Sequence, residues 1–145
     1  MLRADGSPRP AYRALLTASR YLSAAELTGR LAPLGEASRD GYPVTRVILD
    51  DPRRGTRVQV LWRSRAGPRS VAVEPSGSSA RLLDVLGFGP PAVRSADGWE
   101  VRLPPPRVPQ SFDPAGFQSG GDPVLLVERG VPRGAVATPR LVQHP

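Results

Sequence analysis

The sequence predicts an all-β fold, an antiparallel β-sandwich of about seven or eight strands preceded by one N-terminal α-helix. The run RVQVLWR at 57–63 alternates at the strand period: Val58, Val60 and Trp62 share one face, Arg57, Gln59 and Arg63 the other. Similar short runs recur about every ten to twelve residues, separated by Gly, Pro, Asp and Ser. The stretch with clear helical spacing lies near the N-terminus.

Taken in order, Asp5-Gly6-Ser7-Pro8 is a turn. Pro10 suits a first helical position, and residues 11–22 are rich in helix formers, with Tyr12, Leu15, Leu16, Ser19 and Leu22 tracing one side. The helix either continues through Glu26 and Leu27 or breaks near Ser23. Residues 31–43, with Pro33, Gly35, Gly41 and Pro43, form a linker. Strands follow at Val44–Leu49, Arg57–Arg63, Arg69–Glu74, Ala80–Val85, Ala92–Arg94 and Trp99–Leu103, each ended by turn residues. The second and third of these read as antiparallel neighbours across Ala66-Gly67-Pro68.

Pro104 to Gly121 is a long loop anchored by Phe112 and Phe117. Val124-Leu125-Leu126-Val127 is apolar on both faces and needs cover on both. Residues 131–145 read as a flexible tail, with His144 solvated in it. The sandwich domain is thus 44–130, with a helical unit over 1–30. Its core is expected to hold Val47, Leu49, Val58, Val60, Trp62, Val71, Val73, Leu82, Trp99, Val101, Leu103, Leu125 and Val127.

The chain has 145 residues, enough for one modest core. It has no cysteine and a single histidine, so a disulfide framework, a thiolate site, a His-based metal site and a Ser-His-Asp triad are all excluded. No cofactor or metal is expected. All 20 basic residues are arginine and the formal net charge is +7. These arginines are dispersed among Asp50, Asp51, Glu74, Asp84, Asp97 and Glu100, without an arginine run interleaved with aromatics, so a nucleic-acid partner is not expected. No stretch reaches the roughly twenty apolar residues of a membrane span. Arg3, Asp5 and Arg9 interrupt any apolar signal core.

Glycoside hydrolysis requires two carboxylates roughly 5 to 9 Å apart. Asp50 with Asp51 and Asp97 with Glu100 lie in or beside turns, where acids are solvated turn formers, and Glu128 has no partner at a fixed spacing. Gly87 with Gly89 and Gly120 with Gly121 open no helix, so they read as turns rather than a phosphate cradle.

Five segments carry a resemblance: DGSPRPAYRAL at 5–15, VQVLW at 58–62, Ala80 to Gly87 in an A-x-L-x-D-x-x-G pattern, DGWEVRLP at 97–104, and GGDPVLLVE at 120–128. In this order they resemble the last barrel helix and following β-sandwich of bacterial glycoside hydrolases of the large TIM-barrel clan. The resemblance implies that residues 1–30 are the remnant of a barrel-terminal helix and that 44–130 is a non-catalytic accessory domain. The clan's catalytic glutamates lie on barrel strands that this chain does not contain, so no catalytic residue carries over and no activity is expected of the chain alone. Met1 falls inside what the family builds as one fold, which leads to the expectation of a truncated product, a split gene or a mis-assigned start. The implied partner is the TIM-barrel catalytic domain, met by Tyr12, Leu15, Leu16, Leu22, Val124 and Leu126. The alternative is a stand-alone carbohydrate-binding module that contacts polysaccharide through Tyr42, Phe88, Phe112 and Phe117.

Overall fold

The computed structural model describes residues 7–22, 26–27, 32–34, 44–63, 70–107, 119–135 and 141–144. It is mostly β, with one helix and antiparallel sheets, as the sequence predicts. Helix α1 spans Pro10–Leu22. Pro10 opens it without costing a hydrogen bond, Arg9 accepts the first backbone N–H groups from Tyr12 and Arg13, and Arg20 in the last turn complements the helix dipole. The helix ends before Glu26–Leu27, which is strand β1.

The large sheet combines β1 with β3 (Val44–Asp51), β4 (Thr56–Arg63), β10 (Val124–Arg129) and β6 (Ser79–Leu83), in the order β1-β3-β4-β10-β6; β2 (Ala32–Leu34) also pairs with β3. The second sheet is β11 (Leu141–His144), β5 (Ser70–Val73) and β7 (Trp99–Arg102), in the order β11-β5-β7. Strands β8 (Pro106–Arg107) and β9 (Ser119–Gly121), inside the segment expected to be a loop, pair as a separate two-stranded ribbon, with β9 against β4. One buried cluster unites the two sheets: Val44, Leu61, Ala80 and Leu126 meet Val71, Val73, Trp99 and Val101. On the opposite face of the large sheet a smaller cluster of Val58, Leu83, Leu125 and Val127 receives Tyr21 and Leu22 of α1. Strand β10 is therefore covered on both faces, as its continuous apolar sequence requires.

Several expectations are corrected. Strands β4 and β5 are not neighbours: β4 pairs with β3 and β10, and β5 with β7 and β11. The β4 register explains the choice, because Val58 and Val60 face Leu49 and Val47 on one side and Val127 and Leu125 on the other, an apolar ladder across three strands. The inward parity is also different. Val44, Ile48 and Leu61 are buried, whereas Val47, Leu49, Val60, Trp62 and Leu82 are only half-buried. The first four of these lie on the helix side, and a helix of 13 residues, about 20 Å long, docks there through the end that carries Tyr21 and Leu22.

Leu126 is fully buried between the sheets and Val124 packs beside it, so neither is part of an outer face. Residues 92–94 form no strand, only isolated bridges from Pro91 to Arg81 and from Arg94 to Trp99. The segment read as a tail ends in β11, with His144 opposite Ser70, and the segment read as a linker contains β2.

Of the leucines along the apolar side of the helix, only Leu22 packs on the sheet. Thr17 is its buried residue, while Leu15 and Leu16 are 53% and 50% exposed. Gly87 makes this possible: it adopts φ +83°, and a Cβ there would stand 2.7 Å from Thr17 Oγ1. Asp84 shapes the same turn, its Oδ1 accepting the N–H groups of Leu86 and Phe88 at 2.9 Å.

Candidate functional site

A group of charged and polar side chains lies inside the sandwich. Arg46 on β3, Arg57 and Gln59 on β4 and Glu128 on β10 are all buried, on the face of the large sheet that meets the second sheet. Glu128 is the hub. Its Oε2 accepts Gln59 Nε2–H at 2.6 Å. Its Oε1 accepts Trp99 Nε1–H at 3.0 Å and the backbone N–H groups of Ser76 and Gly77 at 2.7 and 3.2 Å. Gln59 Oε1 in turn accepts Arg46 Nε–H at 2.7 Å. One carboxylate thus ties β10 and β4 of the large sheet to β7 of the second sheet and to the turn between β5 and β6. Gly77 fits this turn because it has no Cβ, which would collide with the carbonyl oxygen of Arg129.

Arg57 forms a second, linked group. Its Nε and Nη2 donate to the two carboxylate oxygens of Asp50, its cross-strand partner, at 2.6 and 2.8 Å, a bidentate fork. Nη1 reaches Ser76 Oγ at 2.7 Å and Nη2 also reaches the carbonyl of Ala135. Ser76 therefore links both groups. Hydrogen bonding to Asp50 holds the Arg57 pKa above the ordinary guanidinium value, against the opposing effect of burial. Arg46 goes the other way: burial lowers its pKa to about 10, the Glu128 charge offsets part of that, and the Arg57 charge adds to it.

This arrangement can hold two sheets together and cannot perform acid–base work on a substrate. The Glu128 side chain has no solvent access, and both its oxygens are occupied by four donors. Its place at the end of a strand needing cover on both faces was legible in the sequence; its partners were not. Arg46 and Gln59 were missed altogether. The signal for Gln59 was Leu61, an apolar residue two positions on and on the same face, which marks that face of β4 as covered, where a polar residue must find a buried partner.

Of the residues predicted to contact carbohydrate, Phe88 is 53% exposed, with the Arg13 guanidinium 5.0 Å from its ring centroid. Tyr42, Phe112 and Phe117 lie outside the described residues. Of the residues predicted to meet a partner domain, Leu15 and Leu16 face outward, Tyr12 and Leu22 are half-buried, and Leu126 and Val124 belong to the core. A polar cleft of about 240 Å³ opens beside the β7 hairpin, with Glu74, Arg94 and Asp97 on its walls. The Arg94 guanidinium sits 5.6 Å from the Trp99 ring centroid. Among the described residues no group of three or more His, Asp or Glu side chains is placed to hold a metal, and no helix is long and apolar enough to cross a membrane. No family model matches the chain, and neither a curated protein nor a solved structure is significantly similar to it.

Proposed function

We propose that the chain is a non-catalytic β-sandwich accessory domain that packs, through the outer side of α1, on a TIM-barrel glycoside hydrolase catalytic domain. The observation that carries this reading is the setting of the helix. It is seated on the sheet by Thr17, Tyr21 and Leu22, and it turns Leu15 and Leu16, two adjacent large apolar side chains, toward solvent. The buried, fully bonded state of Glu128 supports the non-catalytic part of the reading, because it withdraws from chemistry the one acidic side chain that is fully buried among the described residues. The segments that resemble the hydrolase sandwich fit the same picture: Gln59, Asp84, Gly87, Trp99 and Glu128 all have structural roles here.

The test is association with a barrel domain encoded beside this chain, followed by sedimentation. A complex is expected that the Leu15→Gln/Leu16→Gln variant no longer forms, with no turnover of aryl glycosides by the chain alone. A neighbouring genome region without a barrel, or turnover that a surface carboxylate variant abolishes, would overturn the reading.

A second reading, a carbohydrate-binding module, is favoured by one pair of features: the half-exposed Phe88 ring, and the cleft where Glu74, Arg94 and Asp97 could accept and donate hydrogen bonds to vicinal hydroxyls. Saturable glycan binding lost in Phe88→Ala or Asp97→Asn would favour it over the accessory domain.

A further inference from the structure

A second cleft, also of about 240 Å³, lies on the helix side of the large sheet, where α1 ends over β6 and β10. Its walls are mainly apolar, with Tyr21, Ala80, Leu83, Pro91 and Val127 joined by the small polar Ser79. Its rim carries two guanidinium groups, Arg81 and Arg129, and among the described residues no carboxylate lines it. The register fixes the relation of the two arginines. Arg81 stands opposite Val127 and Arg129 opposite Ser79, so the arginines are diagonal neighbours on adjacent strands and share the face that bears Leu83. Diagonal positions are within reach for long side chains, and like charges so placed repel. Arg81 is steadied by a 3.1 Å hydrogen bond from Nη2 to the carbonyl of Gly89, which leaves its other N–H groups to serve the rim. Neither arginine forms a salt bridge among the described residues. A mainly apolar wall beneath two cations that no carboxylate pairs among the described residues is complementary to an amphipathic anion.

We propose that this cleft binds a small organic anion, with its carboxylate or phosphate between Arg81 and Arg129 and its apolar body against Leu83, Val127 and Tyr21. The site is independent of the accessory-domain reading and takes no part in any barrel contact through Leu15 and Leu16.

The experiment titrates the full chain with octanoate and with phenyl phosphate by calorimetry, and follows the backbone amides of Leu83 and Val127 by NMR. At least one probe is expected to bind with one-to-one saturation, to shift those amides, and to weaken as salt is raised. The stronger of the two identifies the head group as carboxylate or phosphate. Acetate, inorganic phosphate and 1-hexanol are expected to bind at least tenfold more weakly, since each offers only half of the chemistry. Arg81→Gln/Arg129→Gln should lower affinity at least tenfold while leaving the thermal midpoint within a few degrees, because both side chains are exposed. Absence of saturable binding by either probe, affinity unchanged in the double variant, or equal affinity for the head groups alone would overturn the proposal.

Discussion

The two faces of the large sheet are built on different principles. Toward the second sheet, Arg46, Gln59 and Glu128 are buried and joined by directional hydrogen bonds, within a shell of Val44, Leu61, Val71, Val73, Val101 and Leu126. Toward the helix the interior is apolar and its cover incomplete: Val58, Leu125 and Val127 are buried, while Val47, Leu49, Val60 and Trp62 on the same face are only half-buried. The first face tolerates little change, because removing one member leaves several buried donors without an acceptor. On the helix side, contacts are non-directional and few, so substitutions there should cost much less.

The sharpest way to break this contrast is at the hub. Glu128→Ala strands the Trp99 indole N–H, the Gln59 amide and the N–H groups of Ser76 and Gly77, and removes the counter-charge near Arg46. A loss of about 3–5 kcal/mol is expected in urea unfolding, with Glu128→Gln losing less because it keeps an acceptor. A loss below about 1 kcal/mol would mean that the sandwich interior is no more demanding than the helix side.

Next in size is the seat of the helix. Gly87→Ala forces a side chain into a backbone at φ +83° and into Thr17 Oγ1. A cost of about 1–3 kcal/mol is expected, with hydrogen exchange accelerated in α1 and not in β7. Uniform acceleration through both sheets would show that the helix is no separate layer.

How much of this was legible follows from which partners are close in sequence. The strands of 44–63 and 70–83 and the helix start at Pro10 rest on local signals and were read correctly as elements, whereas Asp84 and Val85, read as the end of a strand, belong to the turn after β6. The pairing of β5 with β7 and β11, and the parity of β3, were not. Strand β3 offers Val44 and Ile48 on one parity and Val47 and Leu49 on the other; with cover on both faces, alternation cannot say which is deeper. Arg46, Arg57 and Gln59 look solvent-facing because their acceptors are found only after folding: Glu128 lies 69 residues beyond Gln59. On α1, the apolar side traced by Tyr12, Leu15, Leu16 and Leu22 does not say which of these residues the sheet covers: Leu22 packs on it, while Leu15 and Leu16 stay outward. Ala14, Thr17 and Ala18 are smaller and sit deeper, allowing close approach over Gly87.

A smaller effect tests the cost of the buried charge. With its folded pKa near 10, below the ordinary guanidinium value, Arg46 loses its proton in the native state before it does in the unfolded chain. Between those values the unfolded state binds more protons, so the Arg46 contribution to stability rises with pH through that window and is at its least favourable below it. The stability of the wild type relative to Arg46→Met should therefore increase by about 1 kcal/mol between pH 9 and pH 11. A flat difference would show that Glu128 compensates the Arg46 charge in full.

The smallest effect is expected on the outer side of α1. Leu15 and Leu16 are 53% and 50% exposed, and glutamine preserves helix propensity nearly as well as leucine. Leu15→Gln/Leu16→Gln should leave the urea midpoint of the free chain within about 0.5 kcal/mol of the wild type, while reducing any self-association seen at high concentration. That near-neutrality separates the two halves of the comparison, since the same chain should lose several-fold more stability from one carboxylate in the sandwich than from two leucines on the helix. A double variant that unfolds, with a cost of about 2–4 kcal/mol as expected for buried leucines, would place both side chains in an interface within the folded chain and remove the support that their exposure gives to an external partner.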